Sequence, residues 1–226
     1  MWYRFLLFIG ILFCHLVALG KDFSPEKPYQ LMIYGDSLSS AYQLPKKDAF
    51  ASKLQEALIK EGYRQVTVIS FSKSGETSVG GLRRQKQALS KKPNGVILEL
   101  GINDVLKGKS IAEITQNLSQ LIQGFQSHNI AVLLAGMKAP PITEPTYAQQ
   151  FEKMYQQLAR KYKVPLYPFF MQGLFQAAGN QYEQAHAYLL ADKVHPNKTG
   201  IQYMVDHILP SVKLFLKKQG VNPISQ

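Results

Sequence analysis

Apolar residues follow two alternating rhythms along this chain. Short leucine-rich or β-branched runs at 30–34, 66–71, 95–100, 130–135 and 164–167 read as buried strands. Between them, apolar residues recur at helical spacing. Phe50, Leu54 and Leu58 mark a helix over 48–60. Ile111, Ile114, Leu118, Leu121, Ile122 and Phe125 mark one over 110–126, with Ser110 and Glu113 set as a capping box. A polar, basic stretch at 81–91 and the segments 146–162 and 199–217 complete the helical set. Pro210 is expected to kink or divide the last of these. Strands alternating with helices imply βαβ units and a parallel sheet, an α/β fold. In such sheets ligand sites lie beyond the carboxyl ends of the strands.

The first 20 residues break the pattern. Arg4 is their only charge, an apolar stretch runs over 5–19, and Ala18-Leu19-Gly20 supplies small residues at a cleavage position. That order reads as a secretory signal peptide, so the protein is expected in the periplasm or outside the cell. Residues 21–29 then form a polar linker and 30–226 one domain. The single cysteine, Cys14, lies in the leader, so the mature chain is expected to need no disulfide in an oxidising compartment. The net charge of +11 comes from scattered lysines and arginines with no nucleic-acid-binding signature. It suits a solvated surface or peripheral contact with an anionic membrane. The chain is expected to act as a monomer.

Candidate chemistry sits where predicted strands end. Gly35-Asp36-Ser37-Leu38 follows the first, and a serine on a tight turn there presents its hydroxyl to solvent. Ser74-Gly75-Glu76-Thr77 follows the second, where the Gly75 N–H can face a substrate oxygen. Gly101-Ile102-Asn103-Asp104 follows the third, and Asn103 can aim its amide at the same oxygen. Near the far end, Asp192-Lys193-Val194-His195-Pro196 pairs a base with an orienting carboxylate. His128, His186 and His207 have no comparable surroundings. A Gly-x-Ser-x-Gly elbow is absent around Ser37, which argues against an ordinary α/β-hydrolase.

These four blocks, in this order, resemble those of the SGNH (GDSL) hydrolases. The stretches 35–42, 74–78, 98–104 and 164–170 are similar to its periplasmic thioesterase/arylesterase/lysophospholipase branch. The resemblance implies a flavodoxin-like three-layer α/β/α sandwich with five parallel strands. It implies Ser37 as nucleophile, His195 as base and Asp192 as its partner. It also implies the Ser37 and Gly75 N–H groups and Asn103 as the oxyanion hole, with no metal or cofactor. Ile102 replaces a glycine usual in that branch, Glu76 replaces a common aspartate, and 138–147 matches the usual substrate loop poorly. Ile102, Leu106, Pro140 and Pro141 are candidate acyl-chain contacts. The expected activity is hydrolysis of acyl esters or thioesters, with lysophospholipids among the candidate substrates. Carbohydrate O-deacetylation is the alternative within enzymes, and a non-catalytic envelope-binding protein the alternative outside them.

Overall fold

A computed structural model describes residues 27–224 of the chain. Five parallel strands form its sheet: β1 (Tyr29–Tyr34), β2 (Val66–Ser70), β3 (Gly95–Leu98), β4 (Ala131–Ala135) and β5 (Leu166–Tyr167). Their order, β2-β1-β3-β4-β5, is the doubly wound flavodoxin-like arrangement. Every residue of the central β3 is buried, whereas the edge strand β2 is half exposed, as expected when helices cover both faces of the middle strands.

The main helices are α1 (Phe50–Lys60), α2 (Ser78–Ser90), α4 (Ile111–Gln126), α5 (Pro145–Tyr162) and α8 (Lys198–Lys218). On one side of the sheet α1 packs against α8; on the other α4 lies between α2 and α5. Three short helices, α3 (Ile102–Leu106), α6 (Gln172–Ala177) and α7 (Tyr182–Ala185), sit in connections and carry too few turns for periodicity to reveal. Phe50, Phe125, Phe151, Phe170 and Phe215 are among the fully buried side chains that bind sheet to helices. Each contributes on the order of 1.5–3 kcal/mol through burial.

Helix starts follow their caps. α2 begins at Ser78, three residues before the polar, basic stretch expected to form it, because the Thr77 side chain accepts the Gly80 N–H at 3.2 Å. Ser110 accepts the Glu113 N–H at 3.2 Å, but the Glu113 carboxylate pairs with Lys109 at 3.1 Å instead of closing the capping box. The last helix is not divided: α8 continues through Pro210 over 21 residues, and its buried row, from Ile201 to Leu216, secures it against the sheet. The first strand takes in Tyr29, one residue of the expected linker. The expected leader, 1–20, and Cys14 lie outside the described residues. Among the described residues no helix is long and apolar enough to cross a membrane.

Candidate active site

The connections leaving β1, β2 and β3 share the carboxyl rim of the sheet, and the segment before α8 folds over them. After Tyr34 the chain turns sharply. Asp36 Oδ1 accepts the Leu38 N–H at 2.9 Å, an aspartate-closed turn that puts Ser37 at its apex. Gly35 is required there, because a Cβ at that position would lie 2.3 Å from Glu99 Oε2 and 2.4 Å from Ser39 Oγ.

His195 Nε2 lies 2.8 Å from Ser37 Oγ, and its Nδ1 lies 2.8 Å from Asp192 Oδ2. The loop that holds both residues is built for that pairing. Leu189 and Pro196 form an antiparallel bridge at its base, and Lys193 takes a left-handed conformation at its tip. The Val194 and His195 N–H groups donate to Asp192 Oδ1 at 2.9 and 3.0 Å. Burial would raise the Asp192 carboxyl, but these bonds and the His195 ring outweigh it and hold the group below its ordinary range. The Tyr42 ring lies against the His195 imidazole, with centroids 4.1 Å apart. Asn197 closes the loop, capping α8 through Gly200 and donating to the carbonyls of Ala187 and Leu189.

The loop after β2 meets the Ser37 turn through Ser74, whose hydroxyl contacts that of Ser40. Gly75 adopts φ of +74°, and space in front of it is open. Among the described residues the N–H groups of Ser37 and Gly75 donate to no acceptor. Asn103, at the start of α3, gives one amide N–H to Asp36 Oδ2 at 3.0 Å, which leaves a second. The connections leaving β1, β2 and β3 thus each offer an N–H group with hydrogen-bonding capacity to spare, the kind of donor that stabilising an oxyanion demands.

Buried side chains lock these loops together. Asp104 accepts the Ser78 N–H at 2.8 Å and the Ser78 hydroxyl at 2.6 Å, tying α3 to the start of α2. Burial raises its carboxyl, and the Ser78 bonds pull the other way. Arg84 reaches from α2 to pair with Glu76 at 2.6 Å and donates to the carbonyls of Phe71 and Gly35. Its guanidinium stacks over the Tyr34 ring at 4.3 Å. Ser40 and Ser74 hydroxyls meet at 2.9 Å, joining the Ser37 turn to the Gly75 loop.

The structure therefore brings together Ser37, Gly75, Asn103, Asp192 and His195. The small recess beside Ser37 and His195 is lined by Leu38, Ala41, Tyr42, Leu44, Pro196 and Ile201. Ile102, Leu106, Pro140 and Pro141 lie elsewhere on the rim. Ile102 packs partly into the core, Leu106 is exposed, and the two prolines follow β4. Sequence reasoning assigned no part to Glu99, Arg84 or Tyr42. A charged residue inside an apolar strand was the available signal for Glu99. Among the described residues no three His, Cys, Asp or Glu side chains gather as metal ligands would.

Fold and constellation together define a serine hydrolase: a doubly wound sheet with a hydrogen-bonded serine, histidine and aspartate at its carboxyl rim. Residues 33–203 match the GDSL-like Lipase/Acylhydrolase family, and the chain belongs to that family. It is 34% identical over 187 residues to the esterase TesA of Pseudomonas aeruginosa, a match covering 82% of this chain and 89% of that protein. It is 32% identical over 178 residues to the thioesterase 1/protease 1/lysophospholipase L1 of Escherichia coli K12, covering 78% and 79% of the two chains. The crystal structure of TesA superposes with a TM-score of 0.74 at 33% identity, covering 83% of this chain and 99% of the other. A psychrotrophic esterase, EstA of Pseudoalteromonas, gives 0.74 at 29% identity, with 83% and 98% covered. The protein is accordingly a serine ester hydrolase of the thioesterase/arylesterase/lysophospholipase branch, and its three-layer α/β/α sandwich is the fold of its relatives.

Proposed function

We propose that the protein is an exported esterase that cleaves acyl esters or thioesters through an acyl-enzyme on Ser37. His195 takes the Ser37 proton as the hydroxyl attacks the acyl carbon, then returns it to the leaving group. Asp192 fixes the imidazole tautomer and stabilises the cation that forms. The Ser37 and Gly75 N–H groups and the Asn103 amide hold the tetrahedral oxyanion. Water then attacks the acyl-enzyme with His195 again as base, releasing the acid. The observation that carries this reading is the continuous chain from Asp192 through His195 to Ser37, with both hydrogen bonds at 2.8 Å.

Acyl lipids, lysophospholipids among them, are the proposed substrates. Leu106, the last residue of α3, and Ile142 and Val194, on loops, are exposed at the same rim. Lys73, Lys107, Lys138 and Lys193 are exposed on the loops around it. Apolar tips among cations suit transient contact of a monomer with an anionic lipid surface. The leader-like segment at 1–20 supports export to the periplasm or beyond.

The test is hydrolysis of p-nitrophenyl esters from acetyl to palmitoyl, followed by lysophospholipid and acyl-CoA, with Ser37→Ala alongside. The expected result is a Ser37-dependent rate that peaks at medium or long chains. Folded Ser37→Ala with undiminished activity would refute the nucleophile. A peak confined to acetyl would move the substrate to small acetyl esters.

A further inference from the structure

Both nitrogens of the His195 imidazole are engaged, Nε2 with Ser37 and Nδ1 with Asp192. Those bonds hold the ring by its edge. Among the described residues the aromatic ring against its face is that of Tyr42, with planes inclined by 32° at the 4.1 Å centroid separation. That is well inside the distance, about 6 Å, over which an aromatic face attracts a cation. The Tyr42 hydroxyl makes no hydrogen bond among the described residues, so the contact uses the ring and not the phenol. Backbone conformation is committed to this placement. Ala41 and Gln43, on either side of Tyr42, take φ of +64° and +54°, a left-handed conformation that residues bearing a Cβ resist. Such residues persist where their surroundings fix them. Here the Ser40 hydroxyl meets Ser74 just before the turn, the Leu44 N–H donates to the Ala41 carbonyl at 3.0 Å across it, and Leu44 packs against the core just after it. One connection, 35–44, thus supplies both the hydroxyl at Nε2 and the ring on the imidazole face.

We propose that Tyr42 is a positioning residue for ester hydrolysis: its ring holds the plane of the His195 imidazole and stabilises the imidazolium formed when Nε2 takes the Ser37 proton. The inference rests on the reading of His195 as the base. Before the transfer the imidazole is neutral and gains little from the negative face of the tyrosine ring. As the proton arrives the imidazole becomes a cation, and the attraction grows. The contact is therefore stronger in the transition state than in the ground state, so it acts on kcat and leaves KM nearly alone. Tyr42 also lines the small recess beside Ser37. A ring serving only as a wall for the substrate would act on KM and on chain-length preference instead.

Phenylalanine keeps the aromatic face, whereas leucine fills much of the space without one. Tyr42→Phe should retain most of kcat. Tyr42→Leu should lower kcat by about 3- to 30-fold, the range that attraction between a cation and an aromatic face spans, with KM little changed. Phenylalanines of increasing ring fluorination at position 42 keep the shape and drain negative charge from the face, so they should lower kcat stepwise. Tyr42→Leu added to His195→Ala should cost nothing beyond the residual rate of His195→Ala, because the ring acts through the imidazole. Equal rates in the Phe and Leu variants, a loss confined to KM, a flat fluorination series, or an independent loss in the double variant would each overturn the proposal. If Tyr42→Leu fails to fold, the fluorination series decides it. Undiminished activity in His195→Ala would refute the base reading and the inference with it. An inactive His195→Ala beside a Tyr42→Leu variant at the parent kcat would leave the base reading intact and overturn the part given to Tyr42 alone.

Discussion

Asparagine has two amide hydrogens, and the division of labour between them defines what Asn103 does. One is committed to Asp36 at 3.0 Å, which fixes the plane of the amide. In the proposed reaction the other gains a partner only when negative charge develops on the substrate oxygen. Asn103→Ala should therefore lower kcat by roughly 100- to 1000-fold while KM moves little, since a contact made mainly in the transition state is lost. Steady-state kinetics on one p-nitrophenyl ester checks this, and a loss confined to KM would contradict it. Ser37, Gly75, Asn103, Asp192 and His195 were legible in the sequence because each stands in a short motif and the motifs keep their order. Glu99 and Arg84 were not. Neither has a spacing partner in the chain: Glu99 meets Asp36 across 63 positions, and Arg84 meets Gly35 across 49.

Among elements, α2 has the strongest claim to organise the site, although its sequence is polar and its pattern faint. Arg84 projects from it beneath the ends of β1 and β2, and the ion pair with Glu76 is largely shielded from water. Removing one partner of such a pair leaves the other charged and unpaired. Arg84→Ala should destabilise the fold by about 3–5 kcal/mol, a loss that urea unfolding would read directly. Arg84→Lys should recover only part of it, because an ammonium cannot serve Glu76 and two carbonyls with a planar fork. The strands were readable from apolar runs alone, since a parallel sheet covered on both faces has little use for polar residues. The connecting helices α3, α6 and α7 were not, being shorter than the window in which a 3.6-residue period declares itself. The continuity of α8 past Pro210 was also out of reach, because packing along the helix outweighs one lost backbone bond.

For the molecule as a whole, the buried carboxyls of Asp36 and Glu99, both pushed up by burial, couple stability to pH. A carboxyl whose folded-state pKa is raised keeps its proton after the unfolded chain has lost it. Its favourable contribution is complete below the ordinary carboxylate pKa and fades as pH climbs toward the folded-state value. Unfolding free energy should thus fall as pH rises above the ordinary glutamate range of about 4.3, by up to about 1.4 kcal/mol per pH unit for each proton involved. Glu99→Gln cannot ionise and should flatten that slope; denaturant titrations at several pH values would show it, and parallel slopes would contradict it. A net charge of +11 adds self-repulsion that eases in the same direction, so the variant and not the parent curve is the diagnostic.

The eight residues from Leu189 to Pro196 carry the proposed base, its carboxylate and the hydrogen bonds that orient both. Ser37, by contrast, owes its place to strands, helices and carboxyls drawn from three successive strand–helix connections between residues 33 and 104. The two halves of the machinery therefore differ as targets for mutation. In a library of random variants, folded but inactive members should crowd into this one small loop, while changes that displace the serine should mostly forfeit the fold along with it.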